Sequence, residues 1–219
     1  MPAIRIELRV TCATPPSVGS GGSEGTLADK VVLRDGRGRF ILPGSQVKGR
    51  LRHACEQLVK AYKAPVCRPP RPDTMCPNYD EDPTLEPPCL LCRIFGGPGQ
   101  ASPLRFHDLV AQQPALPEQT LRAMVSLNRA RRTAEPQRLF LIETAPHYPG
   151  LEFRNEEAIT GHVKEPAHAH LLLAAARMLF TWGGGSSRGL GWGRLDTVLW
   201  LGGTETPLDT EKVRSLCPR

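Results

Sequence analysis

Eight prolines fall within the 29 residues 64–92. Proline has a fixed φ and no N–H, so this stretch is excluded from helix interiors and from the middle of a sheet. Any fold of the chain must therefore carry it as an insertion between two structured halves. It has two arginines against five acidic residues, and no hydrophobic period. What it does hold is Cys67-x8-Cys76-x12-Cys89-x2-Cys92. Four thiolates suit a tetrahedral Zn²⁺, and the closing C-x-x-C supplies two ligands from one turn. A proline-rich, acidic loop buries almost nothing by itself, so a metal staple is what would order it. Two alternatives stay open: incidental cysteines, or a ligand set in which His53 or His107 replaces Cys67. A closed four-cysteine site has no open position, so the expected zinc is structural.

Cys12, Cys55 and Cys217 bring the cysteines to seven. An odd count, behind an opening MPAIRIELRV without an apolar signal region, is expected of a reducing compartment, here the cytoplasm. No apolar run approaches the ~18–20 residues of a spanning helix, so no membrane partner is expected.

Glycine and proline number 21 and 22 of 219 residues, which argues against a helical bundle and for short elements joined by turns. Ile4, Ile6, Leu8 and Val10 alternate with polar residues, the period of a half-buried strand. A glycine-rich loop follows, then two apolar runs around Asp35-Gly36-Arg37-Gly38, which read as a hairpin. Val47, Leu51, Ala54, Leu58 and Tyr62 predict a helix over 46–63 with Ser45 as N-cap. Gly49 inside it suggests close approach by another backbone. Beyond the insertion come a strand at 103–110, a long projecting hairpin at 121–145, a short strand at 151–154, a helix over 165–182 and a last strand at 194–201. Two helices on an antiparallel sheet make an α+β, ferredoxin-like body with insertions.

The net charge of +6 makes a polyanionic partner plausible. Two stretches bear on it. Residues 183–194 hold six glycines and Arg188 between a helix and a strand. Bare backbone amides there suit phosphate oxygens, and a tight structural turn is the equal alternative. The run lacks the Gly-Lys-Ser/Thr ending and the strand–helix setting of a P-loop. At the hairpin tip, Asn128–Arg138 carries four arginines against one glutamate, a finger able to lie along a nucleic-acid backbone, or else a solvated basic loop.

Taken in chain order, three stretches resemble the RAMP superfamily of CRISPR proteins. Leu42-Pro43-Gly44-Ser45-Gln46-Val47-Lys48-Gly49-Arg50-Leu51-Arg52 is similar to the signature "PGSSLKGxLR". Cys92-Arg93-Ile94-Phe95-Gly96-Gly97, followed by Leu104-Arg105-Phe106-His107-Asp108, is similar to the block "LFG…SRLRFSDA", and the glycine run at 183–193 to the C-terminal loop. Within the superfamily the sequence most resembles the backbone subunit of type III interference complexes. The resemblance implies an RRM-like palm over 1–63 and 93–205, a zinc-binding insertion at 64–92 and a thumb at 121–145, in one domain spanning 1–219. It implies copies stacked on a CRISPR RNA, other RAMP subunits beside them, large and small effector subunits, and a complementary target RNA. The guide-contacting set is then Ser45, Lys48 and Arg52 on the first helix, Arg129, Arg131 and Arg132 on the thumb, and Gly184, Gly185 and Arg188 in the last loop.

The family's catalytic aspartate lies in a pattern like "IDxPVIRD". Leu27–Asp35 matches it and puts Asp29 in that place, with Val31 where the proline usually stands. The implied activity is divalent-metal-dependent, Mg²⁺-type cleavage of target RNA by ribose 2′-OH attack. Without the resemblance, Asp29 reads as a turn or cap carboxylate. Two other readings compete. One is the same fold binding guide RNA without cutting. The other is a guide-processing endonuclease using His53. Histidines 162, 168 and 170 are expected to be solvated or at a helix start, and Trp182, Trp192 and Trp200 to anchor core or loops.

Overall fold

The computed structural model describes residues 1–21, 28–77, 88–113, 120–146 and 150–216. Part of the first glycine-rich loop, the acidic half of the insertion and Cys217 lie outside these residues. Alternation builds β1 (Ala3–Cys12): Ile4, Ile6, Leu8, Val10 and Cys12 are buried, and the residues between them turn outward. The chain continues through β2 (Ile41–Leu42), α1 (Gly44–Ala61), α2 (Leu90–Phe95), β3 (Leu104–Phe106) and β4 (Leu109–Ala111). Then come β5 (Thr120–Asn128), β6 (Thr133–Thr144), β7 (Leu151–His162), α3 (Pro166–Ala176), β8 (Gly193–Leu201), β9 (Thr204–Glu205) and α4 (Thr210–Ser215).

The main sheet runs β2-β4-β7-β1-β8-β9 with β3 also on β7, and its ladders are antiparallel. Strands β5 and β6 form a sheet of their own. The fold is α+β with antiparallel sheets, consistent with the ferredoxin-like expectation. Helices α1 and α3 cover one face: Val47, Leu51, Ala54, Leu171, Leu172 and Ala175 join the inward residues of β1 in one core. On the opposite face, ion pairs Arg9–Glu152, Arg154–Glu7 and Arg194–Asp196 link neighbouring outward positions, and Arg5 lies 4.7 Å from the Trp200 ring centroid. Among the described residues no helix is long and apolar enough to cross a membrane.

Several sequence expectations need correction. Helix α1 starts at Gly44, so Ser45 lies inside its first turn and the N-cap is Pro43. Asp108 supplies the capping acceptor from afar, taking a hydrogen bond from the Gly44 N–H at 2.7 Å. A side chain at Gly49 would meet nothing within 4 Å, so no backbone approaches it closely. The hairpin at Asp35–Arg39 forms, Arg34 pairing with Phe40 and the Ile41 N–H donating to Leu33 O, but farther out its first arm pairs elsewhere, Val32 with Gly19 and Lys30 with Ile142. The strand expected at 103–110 splits into β3 and β4.

Strand β7 runs to His162 rather than ending at 154. Its partner β1 advances from Ile6 to Leu8 while β7 goes from Ile159 to Asn155, an irregularity that resets the alternation and hides the strand's second half. Helix α3 stops at Ala176 and is buried nearly all round, His168 and His170 included. Burial pushes both imidazoles below their usual pKa, and His170 Nδ1 accepts the Asp209 N–H at 3.1 Å, tying α4 to α3. The insertion is also less separate than its composition suggests: Val66, all four cysteines and Leu91 belong to the main core.

Candidate nucleic-acid interface and metal centre

The segment 183–194 closes on itself at a neck where the Trp182 N–H donates to Gly191 O at 2.7 Å and Thr181 bridges Trp192. Gly191 has φ +67°, and a Cβ there would lie 1.7 Å from Trp182 O, so only glycine fits. Between the necks, Ser186–Arg188 make a 3₁₀ turn flanked by left-handed Gly185 and Gly189. The amides of Gly184, Arg188, Gly189, Leu190 and Gly191 are spent on protein carbonyls. Those of Gly185, Ser186 and Ser187 have no partner among the described residues.

Two long-range ties place this loop. Arg50 of α1 donates from Nη1 to Thr181 Oγ1 at 2.9 Å and from Nη2 to Gly183 O at 2.8 Å. The Gly184 N–H donates to Ser17 O at 2.8 Å, and Ser17 Oγ donates to Glu143 O at 2.9 Å. Glu143 is buried at the base of the β5–β6 hairpin. Its carboxylate accepts the Val32 N–H at 2.8 Å and Arg34 Nη2 at 2.6 Å. Asp29 is clamped to the same strand: its N–H donates to Leu141 O at 2.9 Å and its Oδ2 accepts the Leu141 N–H at 2.7 Å.

These ties enclose a cleft of about 540 Å³ whose polar lining includes Asp29, Lys30 and Arg188, with Gly184 and Gly185 on one wall and Met124 and Phe140 on the other. Arg188 Nη1 lies 3.1 Å from Met124 Sδ and also borders a second concavity, which holds Arg129 and Arg132 of the hairpin tip. The tip is shaped by Asn128, whose Oδ1 accepts the Arg131 N–H and whose carbonyl accepts that of Arg132. The hairpin stands clear of the core, with Leu127 66% and Leu139 68% exposed.

The four cysteines of the insertion converge separately. Their Sγ atoms lie within 4.8 Å of one another. The Cys67–Cys92 and Cys67–Cys89 separations are 3.6 and 3.7 Å. A tetrahedron with Zn–S of ≈ 2.3 Å has edges of about 3.8 Å, so the donor set fits zinc. The Cys89 N–H donates to Cys76 Sγ at 3.4 Å, and Arg52 Nη2 approaches Cys92 Sγ at 3.8 Å, contacts that stabilise negative sulfur. A hydrogen bond from Cys92 pulls the Cys89 thiol down to about 4, and that same bond, with burial, raises Cys92. Four close cysteines can thus hold a metal such as zinc, and Cys67 rather than a histidine completes the group. His107 instead pairs with Thr160 Oγ1 at 3.2 Å.

The cleft, the arginine-tipped hairpin and the cysteine group occur on a chain whose residues 9–195 match the family model of the RAMP superfamily. The chain belongs to the RAMP superfamily. It is a CRISPR RAMP protein, and the family makes it a CRISPR-associated RNA-binding subunit with RNA and effector-complex partners. Among curated proteins, none matches it in sequence.

In this RAMP protein the structure brings together Asp29, Gly184, Gly185 and Arg188, with Arg129 and Arg132 adjoining through Arg188. Arg131 lines neither concavity. Lys48 sits on the β3 side of α1, its Nζ 5.8 Å from the Phe106 ring centroid, and Ser45 is exposed in the first turn of the helix. Arg52, expected among the RNA contacts, is committed to Gly96 O at 3.0 Å and to Cys92, because α2 packs against that side of α1. Sequence reading missed Lys30 in the cleft lining, and Arg50 and Glu143 as the ties that frame it. Arg50 carried a weak signal, being the one arginine in the signature flanked by glycine. Glu143 carried none, since an acid inside an apolar strand end is recognised only once Arg34 and Val32 are seen to meet it.

Proposed function

We propose that this chain is the backbone subunit of a type III CRISPR effector complex, binding crRNA and cleaving complementary target RNA. In this reading 1–63 and 93–205 are the palm, 121–145 the thumb, and 64–92 an insertion stapled by a structural Zn²⁺ on Cys67, Cys76, Cys89 and Cys92. Copies stack along the guide beside other RAMP subunits and the large and small subunits, in the cytoplasm. The observation that carries the proposal is the meeting of Asp29, Gly184, Gly185 and Arg188 in one cleft at the root of an arginine-tipped hairpin.

The chemistry follows from that grouping. A wedge that unstacks a base frees its ribose to swing toward in-line geometry, which lowers the barrier by orientation. The 2′-oxygen attacks the adjacent phosphorus as Asp29 accepts its proton. The P–O5′ bond breaks and the leaving oxygen takes a proton from water, giving a 2′,3′-cyclic phosphate and a 5′-OH. Arg188, in the lining of the same cleft, would offset charge on the phosphoryl oxygens. One carboxylate plus substrate phosphate oxygens is a donor set Mg²⁺ accepts, and such an ion when bound would offset the same charge. Lys48 and Ser45 at the start of α1 and Arg131 at the tip then hold flanking stretches of the guide.

The Asp29–Leu141 hydrogen bond favours a second reading, in which Asp29 only shapes the cleft and the subunit binds without cutting. Asp29→Asn separates the two, because its amide oxygen can still accept the Leu141 N–H while the charge is lost. Incorporated into the full complex, Asp29→Asn is expected to keep target affinity and to slow cleavage at least about 100-fold. Cleavage at the wild-type rate would leave Asp29 a shaping role and put the chemistry elsewhere, and a wild-type complex that does not cut would sustain binding without cutting.

A further inference from the structure

The glycine-rich loop has a second side that the cleft does not use. There Phe180 and Trp192 are 56% and 43% exposed, with ring centroids 5.4 Å apart and planes tilted by 34°. Exposed aromatic pairs are not needed to hold this loop: the neck is closed by backbone bonds, among them Gly193 N–H to Phe180 O at 2.9 Å. The indole is also fixed before any ligand arrives, since Trp192 Nε1 donates to Ser186 O at 2.9 Å and its backbone N–H to Thr14 Oγ1 at 2.9 Å. What remains unsatisfied is the ring surface itself.

We propose that Phe180 and Trp192 form a shelf on which one unpaired nucleobase of an RNA strand stacks, at a site separate from the Asp29 cleft. The proposal rests on the reading of this chain as RNA-binding. The shelf borders a concavity of about 630 Å³, within the size range of small-molecule sites. The polar side chains of that concavity are Arg9, Thr11, Arg194 and Asp196. Arg9 and Arg194 are 52% and 79% exposed, so each can meet a phosphate while keeping its carboxylate partner. A protein partner would find only two large apolar side chains in this hollow, whereas a base needs one planar face and a nearby cation, here Arg9 or Arg194. Continuity argues the same way. Trp192 lies four residues beyond Arg188 on one short loop and its indole bonds Ser186 O, so a strand held by its phosphate at Arg188 is within reach of the shelf. Stacking of this kind tolerates any base.

The test uses the full chain with single-stranded ten-nucleotide oligoadenylate and oligouridylate. Trp182 is fully buried and Trp200 is covered by Arg5, so quenching of tryptophan fluorescence on RNA binding should come from Trp192. Trp192→Phe should abolish the quench yet still bind. Phe180→Ala should weaken binding about tenfold, with Phe180→Tyr restoring it and the unfolding midpoint of both unchanged. In the assembled complex, ultraviolet crosslinking to labelled guide or labelled target identifies which strand supplies the base. RNA bound without quenching, or with Phe180→Ala at wild-type affinity, overturns the shelf and leaves the cleft reading standing. Wild-type chain that binds no RNA at all overturns both. If Phe180→Ala spares RNA binding but loses other subunits on purification, the pair is a protein contact and the proposal is wrong.

Discussion

Arg50 shows how much of the cleft is set by single side chains that do not line it. Its guanidinium is partly buried, and desolvation lowers its pKa, yet it spends two hydrogen bonds on Thr181 and Gly183. Hydrogen bonds from a charged donor contribute about 1.5–3 kcal/mol each, so truncation here is costly. Arg50→Ala is expected to destabilise the protein by about 2 kcal/mol, roughly 4–8 °C in unfolding midpoint for a chain of this length. It should also weaken RNA binding although Arg188 is untouched, because the loop carrying Arg188 loses its tie to α1. Calorimetry together with an affinity titration checks both halves; intact affinity at lowered stability would restrict Arg50 to the fold. Arg52, two positions on, points the opposite way and backs Cys92. A signature rich in arginine thus announces charge without saying which arginine is free to meet a ligand.

Among the elements, local pattern was a good guide wherever the element's own residues carried the period. Strand β1, the start of α3 and the β5–β6 hairpin all follow from alternation, from helical spacing or from apolar arms about a polar tip. Strand β7 was half hidden because the irregularity opposite Ile6–Leu8 breaks its alternation at Asn155–Ala158. The insertion was legible in chemistry and misjudged in packing: its cysteines were expected to group, but not to merge with the main core. That merger sharpens the prediction for metal removal. Structural zinc contributes on the order of 10 kcal/mol in small domains, and here α2 and the Arg52 side of α1 depend on the same sulfurs. The purified protein should contain about one zinc per chain. Chelation at neutral pH, or Cys89→Ser, should lower the unfolding midpoint by at least about 5 °C. Elemental analysis and thermal melts read this directly, and a metal-free protein of unchanged midpoint would remove zinc from the account. The hairpin is the contrasting case. A two-stranded sheet is marginal alone, and this one is held at its root by Glu143 and Asp29 together with the buried Ile142.

Over the whole molecule, charge is sorted by place. The open face of the main sheet pairs its arginines with Glu7, Glu152 and Asp196, whereas Arg129, Arg132 and Arg188 gather around one concavity with no acidic residue in its lining. Each phosphate contact to a single strand contributes about 0.7 to the slope of log affinity against log salt. Replacing these three arginines together by alanine should therefore flatten that slope by about 2, while replacing Arg5 and Arg154 should leave it unchanged. Affinity titrations over a salt series measure it, and equal flattening by the two variants would move the RNA to the part of the sheet face around Arg5 and Arg154. By itself the sequence determined what short-range physics can encode: the alternating strand, the cysteine spacing, the basic tip, and the glycines that a tight loop requires. Tertiary structure alone decided which of those groups work together. The partners that build the cleft, Arg34 with Glu143 and Arg50 with Gly183, stand 109 and 133 positions apart. Such pairs are chosen by how the sheet and helices pack, and no local period records that choice.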